Sequence, residues 1–413
     1  MSTKLVSVSL DSLRIGEPLP FPLMDAEGTL LANKGYVIAS RSELQSLVGR
    51  GVTLYIDVAD SEAHHRAYVG MLHDLVRKEK TLGQIAGVQV SRADVDASRN
   101  EPELSDGPPD WLDYQVQANS ILRDCGSPQF LQRLVRLQKQ LRQHSIGNPD
   151  GALFALFHLS ASEIRMYSAT HAMLVSVMCG LAAREVLNWP AEKEQVMCLA
   201  ALTMNIGMTD LQDKLAQQLT PPTVEQRQQI DQHALRSVAL LQKIGVDDAG
   251  WLEAVRHHHS VPPGPLSAKT EGQRMARLIQ RADMFGARLA PRASRTPTAP
   301  AAAMQASYFD ENRQVDEAGA ALIKAVGIYS PGSFVRLNTD EVAAVIRRGA
   351  NTTTPRVAVL INREGMPVAE PVIRDTSLRD YRIVASVPHR EVKVQLNLQR
   401  MLALTTANGS DRS

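Results

Sequence analysis

The sequence is poor in cysteine, in aromatic residues and in net charge. Its 413 residues include 3 cysteines, and aromatic side chains make up 4% of the chain. Cys125, Cys179 and Cys198 form no Cys-x-x-Cys pair, which leaves no zinc-finger spacing and suits a reducing compartment. The formal net charge is +1, so no global pull toward nucleic acid or an anionic membrane is implied. With no basic face and few aromatics to stack on bases, nucleic-acid binding is not expected. Long apolar runs are missing too. The most apolar windows, 171–187 and 196–208, are short for a bilayer span and contain His171 and Asn205. The opening Met1-Ser2-Thr3-Lys4-Leu5 lacks the apolar stretch of a signal peptide. A Gly-x-Ser-x-Gly elbow, a P-loop and a Rossmann glycine pattern are all absent. These absences predict a cytoplasmic protein with no membrane span, and argue against nucleophilic hydrolase and dinucleotide-binding readings.

What is present falls into segments. Residues 1–60 read as a small β-rich module. Val6, Val8 and Leu10 alternate with polar residues as one strand face would. Asp25-Ala26-Glu27-Gly28 is a turn between apolar runs, a short helix is expected over 40–48, and Val52–Ile56 is a second strand. Residues 61–112 read as a helix over 62–82 followed by a charged, turn-rich linker ending Ser105-Asp106-Gly107-Pro108-Pro109. Residues 113–330 are dominated by helical periods. Phe130, Leu134, Leu137 and Leu141 recur at three- and four-residue spacing, the mark of an amphipathic helix. Pro291, Pro297 and Pro300, with a run of alanines, predict a loop, and a helix is expected over 316–326. Residues 331–403 form a β-containing appendage, with strands expected at Phe334–Leu337, Arg356–Ile361 and Glu391–Leu396. The polar tail beyond Thr405 is expected to be disordered. The predicted fold is thus multidomain and mainly α.

Five candidate ligand residues lie in order along the helical segment: His171, His233, His258, His259 and Asp283. Imidazole and carboxylate are the donors that hold first-row metals. Taken singly, each histidine is more often a packed or surface residue than a ligand. Their order, and the string Arg281-Ala282-Asp283-Met284-Phe285, resemble the HD-GYP family, phosphodiesterases that open cyclic di-GMP at a two- or three-metal centre. The resemblance covers about residues 160–337, and it aligns the family's His-His pair to His258 and His259, with a one-residue shift to His257 as the alternative. It implies a helical HD-GYP-like domain in a bacterial signalling protein.

The chain departs from that family at its most informative positions. Where the family has the His-Asp pair that names it, this sequence has Met204-Asn205, and where it has a lysine, Met208 stands. Tyr167 and Ser260 each replace a family glutamate, and Ser260-Val261-Pro262-Pro263-Gly264-Pro265 replaces the Gly-Tyr-Pro loop. Methionine and asparagine are poor substitutes for ligands that hold two cations and activate water. The resemblance therefore implies a degenerate centre, with no catalytic residue at Met204, Asn205 or Met208 and a vestigial or partial metal set in the five residues above. It leaves either no cofactor or a single weakly bound divalent metal such as iron or manganese. Arg292 and Arg295 match the family's phosphate-binding positions, and guanidinium pairs with phosphate in a bidentate way. The implied function is a non-hydrolytic sensor or scaffold in cyclic di-GMP signalling, binding cyclic di-GMP, signalling proteins or both. The alternatives are a residual metal-dependent cyclic di-GMP phosphodiesterase and a ligand-free interaction module.

Overall fold

The chain was analysed as a computed structural model, which describes residues 5–8, 23–24, 30–32, 36, 54–57, 109–162, 166–293, 298–394 and 396–406. It divides into two compact units, Met1–Asp106 and Gly107–Ser413. In the first, β1 (Leu5–Val8), β2 (Leu23–Met24), β3 (Leu30–Ala32) and β4 (Leu54–Asp57) form an antiparallel sheet in the order β1-β4-β2-β3. The strands expected from the alternation at Val6 and Val8 and from Val52–Ile56 are thus β1 and β4, and the runs flanking Asp25–Gly28 pair as β2 and β3. The helices expected over 40–48 and 62–82, and nearly all of the linker, lie outside the described residues.

The second unit is mainly helical. It contains α1 (Trp111–Arg123), α2 (Phe130–Gly147), α3 (Pro149–Ser162), α4 (Tyr167–Leu181), α5 (Ala191–Thr203), α6 (Thr209–Gln217), α7 (Val224–Ile244), α8 (Ala249–His257), α9 (Glu271–Leu289), α10 (Pro300–Tyr308), α11 (Glu317–Val326) and α12 (Leu398–Thr406). The stripe Phe130, Leu134, Leu137 and Leu141 is the buried face of α2. Helix starts follow their capping chemistry. Thr223 with Gln226 opens α7, and Thr270 with Gln273 opens α9, each as a reciprocal capping box.

Helix α4 is the axis of this unit. All of its residues are buried, which its small and apolar sequence Ser-Ala-Thr-His-Ala-Met-Leu-Val-Ser-Val-Met-Cys-Gly-Leu permits. It packs against α1, α3, α5, α6, α9 and α11. Several of its buried polar groups find partners. Thr170 accepts from Gln115 of α1, Ser176 donates to the Cys198 carbonyl at 3.1 Å, and the Ser168 amide donates to Asp213 of α6 at 2.7 Å. His171 is the ionisable side chain at its centre.

Helix α9 is anchored by two fully buried arginines. Arg277 bonds Asp316 at 2.8 Å and Glu311 at 2.8 Å, and Arg281 reaches Glu311 at 3.0 Å. Asp316 also caps α11 by accepting from the Gly319 amide at 2.9 Å. Asp316 also reaches Arg281 at 3.3 Å, so one carboxylate ties the start of α11 to α9 at positions six and two residues upstream of Asp283.

The C-terminal strands β5 (Phe334–Leu337), β6 (Val342–Arg347), β7 (Arg356–Ile361), β8 (Pro367–Asp375) and β9 (Ile383–Val387) form an antiparallel sheet in the order β8-β7-β6-β5-β9. Both faces of the central strands β5, β6 and β7 are largely buried. Phe334, Ala344, Ile346 and Leu360 pack with Phe154 of α3 and Met401 of α12, while Val335, Val345 and Val359 pack under Tyr329, Val368 and Tyr381. Arg348 adds ion pairs to Asp150 at 2.7 Å and Glu185 at 2.8 Å.

Two sequence expectations fail here. The Pro300 alanine run is the first turn of α10, because proline at the first helical position gives up no hydrogen bond and alanine has the best helix propensity. Glu391–Leu396 supplies no strand among the described residues. The free edge of β5 is already taken by β9, so Val392 and Leu396 pack on the sheet's inner face instead.

Removing Asp316 leaves two buried guanidiniums short of a carboxylate. Asp316→Ala is expected to destabilise the chain by about 3–5 kcal/mol, read as a lowered midpoint in urea with an unchanged slope.

Candidate metal and ligand centre

Four separate elements bring the candidate residues together. Helix α4 supplies His171, α7 supplies His233, the end of α8 supplies His258 and His259, and α9 supplies Asp283. The ligand-capable atoms of His233, His258 and His259 all lie within 4.8 Å of one another. The Nε2 atoms of His233 and His258 stand 3.0 Å apart, and the rings of His258 and His259 are 4.1 Å apart at their centroids. His171 Nε2 lies 2.7 Å from Asp283 Oδ1. His171, His233 and His258 are buried, while His259 is exposed. His257 instead faces Ser260 Oγ at 3.1 Å, so the pair that joins His233 is His258 and His259.

Backbone carbonyls fix the ring states of two histidines. Nδ1–H of His258 donates to the Val255 carbonyl at 2.7 Å, and Nδ1–H of His233 donates to the Ile230 carbonyl. Each bond leaves Nε2 as a lone pair. Burial, reinforced by the neighbouring imidazoles, pushes His258 down to about 3. Burial also lowers His233. Both rings are therefore neutral acceptors near pH 7. Burial alone would raise Asp283, but the His171 hydrogen bond and the imidazoles of His259 and His258 outweigh it and hold the carboxyl below its usual range. The centre thus places the neutral rings of His233 and His258 near one carboxylate.

These donors fit a divalent transition metal. Two buried Nε2 lone pairs facing each other at 3.0 Å repel unless a cation or proton lies between them, and their carbonyl-bonded Nδ1 groups give the orientation typical of metal-ligating histidine. Imidazole donors suit iron or zinc better than manganese, which prefers oxygen.

The turn that carries Met204, Asn205 and Met208 lies against α7, the helix of His233. Met204 is fully buried and Asn205 nearly so, in the turn after α5. Ser237, one turn beyond His233, donates to the Met204 carbonyl at 3.0 Å and accepts from the Gly207 amide at 2.9 Å. A Cβ on Gly207 would stand 2.9 Å from the His233 carbonyl, so glycine is what lets this turn lie against α7. Asn205 Oδ1 is buried without a hydrogen-bond partner among the described residues. Met208 is half-buried at the end of the same turn.

Tyr167 stacks on His171 with centroids 5.5 Å apart and rings 9° from parallel. Its hydroxyl accepts from Arg292 Nη2 at 2.9 Å, and the Arg292 guanidinium lies 5.1 Å from the ring. Arg292 therefore reaches the Tyr167 side of the centre from the segment after α9, whose Ala293 amide bonds the Ala216 carbonyl at 2.8 Å. Arg295 lies outside the described residues.

Sequence reading missed Ser237, Gly207 and Gly286. The last lies three residues after Asp283 on α9, and a Cβ there would come within 3.2 Å of His171 Cε1. A glycine inside a strongly amphipathic helix, where alanine has the better propensity, was the available cue. Gly286→Ala should displace the His171 ring and cost about 1–3 kcal/mol despite the better helix propensity. A chemical-denaturation series together with the His171 ring resonances checks this; a stabilised variant with unshifted resonances would contradict it.

No family model matches the chain, and no match is found among the curated proteins. Among solved structures, the fold is similar to that of Bd1817, a HDG"Y"P protein from Bdellovibrio bacteriovorus. The two are 15% identical with a TM-score of 0.43, and the match covers 77% of this chain and 98% of that one.

Proposed function

We propose that this chain is a degenerate HD-GYP-like protein that acts in cyclic di-GMP signalling as a non-hydrolytic sensor or partner-binding scaffold. The observation that carries the reading is the turn beside His233. Buried Met204 and Asn205, both neutral, stand where the resemblance calls for an imidazole and a bridging carboxylate. Without that carboxylate, two cations cannot share one anionic bridge, and the means of activating a water between them is gone. Met208 cannot donate a proton. Arg292 remains beside Tyr167 and can pair with a phosphate oxygen. His233, His258 and His259 would hold a single divalent metal, which would supply Lewis-acid polarisation of a phosphate oxygen. The same three imidazoles favour the second reading, a residual phosphodiesterase.

Titrating the purified chain with cyclic di-GMP, and following its hydrolysis with added iron or manganese, separates the readings. Binding without detectable turnover is expected. Metal-dependent turnover on the order of 1 per second or more would replace this proposal with the phosphodiesterase. Absence of any binding would favour the ligand-free interaction module.

Arg292→Ala should weaken cyclic di-GMP binding by about 1.5–3 kcal/mol, the scale of a hydrogen bond to a charged group. The loss should shrink at high salt as exposed charges are screened. Equal affinities of wild type and variant in calorimetry would leave Arg292 as a partner of Tyr167 alone.

A further inference from the structure

We infer that the β6–β7 hairpin of the C-terminal sheet carries an anion site, in which Arg347 takes a two-oxygen anion, a phosphate group or a carboxylate, on the Nε–Nη2 edge of its guanidinium. Such an anion pairs with Nε–H and one Nη–H together, two parallel donors in a fixed fork. In Arg347 both of these nitrogens are buried, and neither has an acceptor among the described residues. Four other arginines, Arg142, Arg281, Arg292 and Arg374, also bury an Nε without an acceptor. In each of those the Nη2 is engaged, by Glu194, Glu311, the Tyr167 hydroxyl and Glu341 in turn. Arg347 differs from them in that its whole fork lacks a partner among the described residues. Burying a charged donor without an acceptor is costly, and folded chains avoid it by pairing. The residue as a whole is half-buried, so the group can be reached from solvent.

The hairpin supplies no counter-ion of its own. Residues 342–363 hold arginine at 347, 348, 356 and 363 and no aspartate or glutamate, in a chain whose net charge is +1. Arg347 stands opposite Arg356 in the β6–β7 register, and like charges opposite one another across a strand pair are destabilising. An anion beside them offsets that repulsion. The acids of the adjoining elements are taken. Asp375, opposite Arg356 on β8, has Oδ2 at 3.2 Å from Arg356 Nη2, and its Oδ1 accepts from the Ser377 amide and hydroxyl. Asp150 and Glu185 pair with Arg348. A planar fork with no acceptor, in a hairpin of one charge sign, is the arrangement that recognises a phosphate or carboxylate group. Strands β6 and β7 carry no residue of the histidine centre, so the inference stands apart from the function proposed above.

The full chain is titrated with sodium phosphate and, separately, with sodium acetate, at an ionic strength held constant with chloride. The Arg347 Nε–H resonance, identified by its loss in Arg347→Lys, is followed by NMR together with the backbone amides of Arg348 and Gly349. A saturable shift of these signals with at least one of the two anions is expected, and the tighter binder tells a phosphate-bearing ligand from a carboxylate-bearing one. Arg347→Lys keeps the charge but loses the fork. It should weaken that anion's binding by roughly tenfold or more, the scale of one hydrogen bond to a charged group, read from the Arg348 and Gly349 amides. Circular dichroism establishes that the variant is folded; if it is not, the wild-type titration decides alone. Signals that fail to saturate with either anion, or that respond equally to added chloride, would overturn the inference. So would equal affinity in the folded lysine variant.

Discussion

The hydrogen bond between His171 and Asp283 is the interaction on which the centre depends. It joins the two helices that the rest of the second unit is arranged around, wholly buried α4 and strongly amphipathic α9. A carboxylate in this setting would favour its neutral form on burial alone. The imidazole hydrogen bond reverses that preference, so the charge persists inside the protein. Its position is determined by groups outside the centre. Arg277 and Arg281, locked to Asp316 and Glu311, fix the rotation of α9 just ahead of Asp283. Gln115, Asp213 and the Cys198 carbonyl fix α4 through Thr170, Ser168 and Ser176. The buried polar contacts around the centre therefore orient two helices, and this is where loss of a single partner is most costly.

The second constraint is close approach. The turn carrying Met204 and Asn205 can lie on α7 only because Gly207 has no side chain, and Ser237 bonds it from both ends. The side chains of that turn, Met204 and Asn205, offer neither imidazole nor carboxylate. Backbone packing and side-chain chemistry are separate here: Gly207 and Ser237 set the first, and the residues at 204 and 205 set the second.

This separation explains what was legible in the sequence. The order His171, His233, His258, His259, Asp283 could be read because each residue sits on a helix with clear period and caps, and the helices could be found from those signals. The choice between His257 and His258 could not. Three consecutive histidines at a helix end differ only in which direction each points, and that depends on the carbonyl of Val255 and the hydroxyl of Ser260. Tyr167 and His171 are one turn apart, so spacing puts them on one helix face, while the parallel stacking of their rings is seen only in the structure. The hydrogen bond from Arg292 to Tyr167 spans 125 residues of sequence and has no local signature. In the appendage, β6, β8 and β9 went unrecognised, and the apolar alternation of Glu391–Leu396 suggested a strand. Sheet membership is decided by which edges are already occupied, which alternation does not report.

The charge on the centre links its parts to the proposed role. An asparagine at 205 removes one negative charge relative to an aspartate there and keeps a neutral oxygen. With His233 and His258 held neutral, the negative charge facing an ion comes from Asp283. A divalent ion on three imidazoles would then keep more of its positive charge than one bridged by a second carboxylate, and Arg292 adds another cation nearby. Such a centre would attract a phosphodiester while lacking the paired ions that generate a nucleophile between them. On the proposed reading, the same neutral residues that would preclude hydrolysis would strengthen the electrostatic case for binding, and the two properties need not decline together.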